Sequence, residues 1–155
     1  MTNALGNLAR RPNWDEYFIG IADAVSRRSD CIRDQVGAVV VGADKRIRST
    51  GYNGAPSGME GCSSCPRATS DVAPGSCYSN CVAIHAELNA LLYCDRRDLR
   101  GATLYVTREP CYGCSKAIKA SGIVRVVHPD PKYAFSNRMV VLDYPGTIDP
   151  NRDVA

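Results

Sequence analysis

Nothing in this 155-residue chain approaches the ~18 consecutive apolar residues that a membrane-spanning helix requires. Residues 1–12 contain no apolar core of signal-peptide length, so the expectation is a chain that is not secreted and works in the cytoplasm. Also missing is any run of like charges. The net charge is +3, too mild and too dispersed for a nucleic-acid arm. There is no internal repeat and no sign of a second domain; 155 residues suit one domain that buries most of its apolar surface. At 45% hydrophobic and 23% charged, the composition is that of a soluble globular protein.

Cysteine is what the chain does have, with eight residues. In a reducing compartment thiols stay free, so disulfides are a poor explanation. The spacings Cys62-x2-Cys65, Cys77-x3-Cys81 and Cys111-x2-Cys114 are instead those of metal sites. Scattered free thiols are the plain alternative for those outside the last pair, and Cys94 reads as a core residue.

The polar residues 1–12 read as a leader and 146–155 as a tail around one domain, 13–145. Asn13 can cap a first helix that carries Asp15 and Glu16 in its first turn. Trp14, Tyr17, Phe18, Ile21, Ala22 and Val25 recur at helical spacing and predict its buried face. Val36 to Val41 and Arg46 to Tyr52 predict two strands joined by a short turn, hence an antiparallel hairpin. After the Gly51–Gly58 loop, residues 59–81 form a Cys-bearing insert without periodicity, of a length that is usually functional or held by something. A helix over 82–92, burying Leu88, Leu91 and Leu92, leads to a strand over 102–107. A helix over 111–120 follows, closed by Gly122. Strands over 123–127 and 139–142 complete a β-α-β-α-β order, which implies an α/β sheet that is partly parallel.

The chemistry lies in His85-Ala86-Glu87 and Pro110-Cys111-Tyr112-Gly113-Cys114. His85, Cys111 and Cys114 make three zinc ligands, one short of a closed tetrahedral site, and a catalytic zinc keeps that fourth position for water. A helix N-terminus favours the thiolate that zinc needs, and both cysteines fall in one first turn. Zinc lowers the pKa of such a water toward ~7, and Glu87 is placed to take its proton and return it to a ring nitrogen and a leaving amine. A lone Cys-x-x-Cys is more often a structural zinc corner. Joined to His-x-Glu on the preceding helix, it is the signature of zinc deaminases as a group.

At these residues the chain resembles the zinc-dependent cytidine and deoxycytidylate deaminase superfamily, and within it the deoxycytidylate branch. The likeness covers roughly residues 13–133: Trp14-Asp15-Glu16-Tyr17-Phe18, Gln35-Val36-Gly37-Ala38, Gly51-Tyr52-Asn53-Gly54, His85 to Ala90, Tyr105-Val106-Thr107, and Pro110 to Cys114 followed by Lys116 and Ile118. It implies a three-layer α/β fold: a mixed five-stranded sheet whose first two strands are an antiparallel hairpin, with helices on both faces. It implies hydrolysis of dCMP to dUMP and ammonia, supplying thymidylate synthesis, with zinc on His85, Cys111 and Cys114 and Glu87 as proton shuttle. By the same resemblance Asn53 contacts the nucleotide, and Arg28 or Arg33 meets its phosphate, although a solvated helix end explains both arginines as well. Tyr133 would line the pocket or simply fill the core. A second, structural zinc would use Cys31, Cys62, Cys65 and Cys81, with Cys77 as an alternative ligand. The family also implies a homo-oligomer and control by dCTP and dTTP, and no nucleic-acid or membrane partner. The tail after Tyr133 departs from the family pattern, lacking a clear final helix and strand. The competing readings are a deaminase of another amino-heterocycle (cytosine, a nucleoside, guanine or a tRNA base) and a non-catalytic zinc module that binds nucleic acid or a partner. Glu87, which a structural site does not need, counts against the module.

Overall fold

Alternation along the strands sorts the core into two layers. In β1 (Gly37–Val41), Ala38 and Val40 face one side of the sheet while Val39 and Val41 face the other, all of them buried. The same division runs through β3 (Thr103–Val106) and β4 (Arg125–Pro129). Leu104, Val106 and Val126 join the first side, Tyr105 and Val127 the second. These facts come from a computed structural model, which describes residues 10–73, 80–133 (Tyr133 by its backbone alone) and 138–144. Cys77, residues 1–9 of the expected leader and the expected tail 146–155 lie outside the described residues.

The sheet has five strands in the order β2-β1-β3-β4-β5, with β2 at Ile47–Tyr52 and β5 at Met139–Asp143. β1 pairs antiparallel with both β2 and β3, and β4 pairs antiparallel with β5. Among the described residues the one parallel pair is β3–β4, bridged by the crossover helix α4 (Tyr112–Ser121). The first side of the sheet is covered by α2 (Ala86–Leu92) and α4, the second by α1 (Trp14–Ser26). This is the expected mixed five-stranded sheet, opened by an antiparallel hairpin and clad on both faces. Among the described residues no helix is long and apolar enough to cross a membrane.

The helices differ from expectation at their ends and faces. Asn13 does cap α1: its Oδ1 accepts from the Glu16 N–H at 2.9 Å, and Glu16 Oε2 accepts from the Asn13 N–H at 2.8 Å, a reciprocal capping box. Trp14 and Tyr17, however, remain half exposed, and the helix buries Phe18 and Ala22 instead. Trp14 lies stacked on Phe18 at the rim of that contact. The buried stripe is narrower than the aromatic spacing suggested. α2 starts at Ala86 rather than 82, because Ile84 is drawn into a backbone bridge with Gly54 and the chain stays extended up to His85. It buries Ala86, Glu87 and Ala90, while Leu92 projects into solvent. A four-residue helix, α3 (Arg96–Leu99), was not anticipated; it serves to bury Leu99 before β3.

Two glycines set how closely the helices approach. A Cβ on Gly37 would run into the α1 backbone at Ala22 and Ser26, and one on Gly51 into the α2 backbone at Ala86 and Ala90. Backbone-to-backbone contact of this kind fixes the depth of α2 on the sheet, and with it the position of His85 and Glu87. On the opposite face, Arg125 grips Asp15 through two hydrogen bonds of 2.9 and 2.7 Å, and the Tyr105 hydroxyl donates to the same carboxylate at 2.8 Å. That network ties α1 to β3 and β4.

Candidate active site

His85 is the N-cap of α2 and Cys111 the N-cap of α4, both with extended backbone (ψ 152° and 166°). Two neighbouring helices thus open toward one point. His85 Nδ1 lies 3.6 Å from Cys111 Sγ and 3.4 Å from Cys114 Sγ, and the three ligand atoms all fall within 4.8 Å of one another. The turn is held by its own sulfur, since Cys111 Sγ accepts from the Cys114 N–H at 3.5 Å. Gly122, at φ 97°, closes the far end of α4 in the left-handed conformation. Among the described residues no other set of three His, Cys, Asp or Glu donors converges in this way.

The electrostatics suit a metal. Burial, assisted by the Arg67 charge, lowers the His85 pKa and keeps the imidazole neutral, the form that has a lone pair to donate. The Cys114 thiol is pushed far up, first by burial and then by the Glu87 and Cys111 charges beside it. A thiolate at that place needs a compensating cation. Two sulfurs and one imidazole nitrogen form the donor set that zinc prefers, and three protein ligands leave one position open. Glu87, only 4% exposed, stands in the first turn of α2, where burial raises its pKa against the opposing hydrogen bonds from its own backbone and Cys114. A carboxyl shifted in that direction can both take up and hold a proton.

His85, Ala86, Glu87 and Cys111 form part of the wall of a cavity of about 250 Å³. Asn53, expected to contact the nucleotide, also lines the cavity, and its amide bonds backbone on both sides. Its Oδ1 accepts from the Val36 N–H at 2.8 Å and its Nδ2 donates to the Asp34 carbonyl at 2.8 Å. It therefore frames the wall at 34–36. Arg33 also borders the cavity, yet its guanidinium donates to the carbonyls of Arg67 (2.9 Å), Ser70 (3.0 Å) and Val72, clamping the insert. Arg28 is elsewhere: it lies over the Tyr52 ring, 5.9 Å from the centroid, in a separate depression with Asp30 and Gly54 to Met59. The Tyr133 side chain lies outside the described residues.

Cys31, Cys62, Cys65 and Cys81 line the same cavity. They come in two pairs, with Cys31 close enough to Cys62, and Cys81 to Cys65, to act on the other's ionisation; Cys65 Sγ itself donates to the Asn80 carbonyl at 3.6 Å. Burial and the nearby Asp30 carboxylate push the Cys62 thiol up to about 11. Burial also opposes ionisation of Cys65, but the N–H groups of Val82, Arg67 and Ala68 outweigh it and the pKa falls. No three of these sulfurs come within 4.8 Å of one another. Cys94 packs partly buried against the core, as expected.

Sequence reasoning missed Arg67, Arg108 and Glu109, all of which line the cavity. Arg108 and Glu109 directly precede Pro110-Cys111, and that adjacency was the available signal. Arg67 sits in the aperiodic insert, where the sequence offered none.

Residues 12–129 match the model of the cytidine and deoxycytidylate deaminase zinc-binding region. The chain is 68% identical over 124 residues to the deoxycytidylate deaminase of Mycobacterium phage D29, covering 77% of this chain and 96% of that protein. It is 40% identical over 121 residues to the deoxycytidylate deaminase of Schizosaccharomyces pombe, covering 76% of this chain but 37% of that longer protein. The crystal structure of dCMP deaminase from the cyanophage S-TIM5 in complex with dCMP and dUMP superposes with a TM-score of 0.61 at 31% identity, covering 76% of this chain and 81% of that one. With the zinc-ligand geometry and this agreement over most of its length, the chain belongs to the cytidine and deoxycytidylate deaminase family.

Proposed function

We infer that this chain is a zinc-dependent hydrolase that converts dCMP and water to dUMP and ammonia, a supply of dUMP for thymidylate synthesis. The observation that carries this is the convergence of His85, Cys111 and Cys114, with His85, Cys111 and the buried Glu87 lining one cavity. The substrate follows from the relatives, which are deoxycytidylate deaminases, one of them solved with dCMP and dUMP.

Zinc on His85, Cys111 and Cys114 would supply a Lewis acid with an open fourth position and lower the pKa of a water held there toward ~7. Glu87 accepts a proton from the attacking water and passes it to the ring nitrogen next to the amino-bearing carbon. It then carries the hydroxyl proton to the amine, which departs as ammonia and leaves a carbonyl. The raised pKa of Glu87 suits a group that must hold the proton between those transfers. Asn53 keeps the wall at 34–36 in place against the nucleotide.

The proposal includes a second zinc in the insert on Cys31, Cys62, Cys65 and Cys81, with Cys77 as the alternative ligand. In its support, the four described cysteines share one cavity and backbone N–H groups already favour the Cys65 thiolate. It also includes a homo-oligomer responsive to dCTP and dTTP; Leu92 and Tyr93, 68% and 77% exposed at the end of α2, supply apolar surface that association would cover.

Ammonia release by the wild-type protein on dCMP, dCTP, deoxycytidine, cytosine and guanine tests the substrate. dCMP is expected to be the preferred substrate by a wide margin. Equal turnover of deoxycytidine would remove phosphate recognition, and preference for a free base would place the chain with another branch of the family.

A further inference from the structure

We propose that Arg108 is the residue that recognises the anionic phosphate of the substrate, and that Asp34 occupies it when no substrate is bound. This rests on the reading of the chain as a deaminase of a nucleotide. Arg108 stands three residues before the ligand Cys111, and Asp34 belongs to the wall segment that Asn53 holds through its carbonyl. The two side chains form an ion pair while both line the cavity, and they are 52% and 41% exposed. A pair that lines a cavity and is half exposed stands at its opening, where the charged end of a nucleotide remains once the base has reached Glu87.

The other cations of the site are engaged differently. Arg33 spends its donors on three insert carbonyls, and Arg67 is 94% buried within the wall (6% exposed), donating to the Ala73 carbonyl. Arg28 belongs to another depression. Arg108 alone among these is held by a partner that can be exchanged, because an exposed ion pair contributes little against solvent and salt. A phosphate offers the planar guanidinium a bidentate, charge-assisted partner stronger than a screened carboxylate. Left at the opening with Glu109 nearby, Asp34 would otherwise repel a phosphate. Its pairing with Arg108 neutralises that repulsion until the anion replaces it.

The exchange makes the two partners act in opposite directions. In the zinc-loaded full chain, Arg108→Ala should raise KM for dCMP by roughly ten- to a hundred-fold, the effect of one charge-assisted hydrogen bond, with kcat nearly unchanged. Asp34→Asn should lower KM for dCMP by roughly two- to five-fold, since the competitor for Arg108 is gone. Turnover of deoxycytidine should move in neither variant, and inorganic phosphate should compete with dCMP in the wild type and in Asp34→Asn but not in Arg108→Ala. The proposal is overturned if Arg108→Ala lowers kcat/KM equally for dCMP and deoxycytidine, or if Asp34→Asn raises KM for dCMP. Failure of the underlying substrate reading looks different, since the wild type itself would then show no preference for dCMP. Should Arg108→Ala lose its zinc or its fold, the decrease or increase in KM of Asp34→Asn decides alone.

Discussion

Cys111 and Cys114 sit on the end of a ten-residue helix packed into the sheet, whereas Cys62, Cys65 and Cys81 sit on a segment whose regular structure, among the described residues, is a three-residue 3-10 turn at Cys62–Ser64. In the first region the ligand atoms converge within 4.8 Å before any metal is considered; in the second the sulfurs approach only in pairs. The difference follows from what positions each backbone. α4 and α2 are fixed by the β3–β4 crossover, by buried Ile118 and Ala90, and by the close approach at Gly51. The insert instead hangs on the side chain of Arg33, the Asp30 carboxylate accepting from the Cys62 N–H at 3.0 Å, and a few turn hydrogen bonds. A preorganised site is suited to chemistry, and a site that depends on its metal is suited to holding a loop in place.

Ligand removal should separate the two regions most sharply. Cys114→Ala is expected to lose the zinc of the triad and to bring ammonia release down to background, read by metal analysis and by an ammonia assay on the same sample. Cys65→Ala should lower zinc from two per chain to one and reduce activity by on the order of ten-fold, as for a residue that supports a site without forming it. If Cys65→Ala abolished activity as completely as Cys114→Ala, the division between catalytic and structural sites would be wrong. One zinc per wild-type chain would remove the insert site altogether. The smallest effect is expected from Arg33→Ala, which deletes hydrogen bonds of about 1 kcal/mol each. Limited proteolysis should then cut near residues 67–72 faster than in the wild type, while the cooperative unfolding of the sheet stays nearly in place. A large drop in melting temperature would instead make the insert part of the core.

How much of this could be read from sequence also divides along that line. The strands were legible because Val39 to Val41 and Leu104 to Val106 are apolar on both faces, and the capping of α1 because Asn13 and Glu16 stand three residues apart. The triad was legible because one His-x-Glu and one Pro-Cys-x-x-Cys fall on successive helix starts. What was misjudged depends on tertiary contacts. The start of α2 was placed four residues early, since only the bridge from Ile84 to Gly54 keeps that segment extended. Leu92, expected inside, finds no neighbour layer at the end of so short a helix. Arg33 and Asn53, singled out as substrate contacts, do line the cavity, and they also bond backbone up to thirty-nine positions away, a structural role that no local pattern reveals. Arg67 reaches the cavity through the fold alone, while Arg108 was marked only by its place just before Pro110-Cys111.

The central claim is that Glu87 moves the protons while His85, Cys111 and Cys114 hold the metal. The direct test is Glu87→Ala, with zinc content and ammonia release from dCMP measured on the same preparation. Zinc should stay at the wild-type level while the rate falls by roughly 10²- to 10⁴-fold, the range for losing a positioned acid–base group. A variant that keeps both its zinc and a rate near that of the wild type would contradict the account.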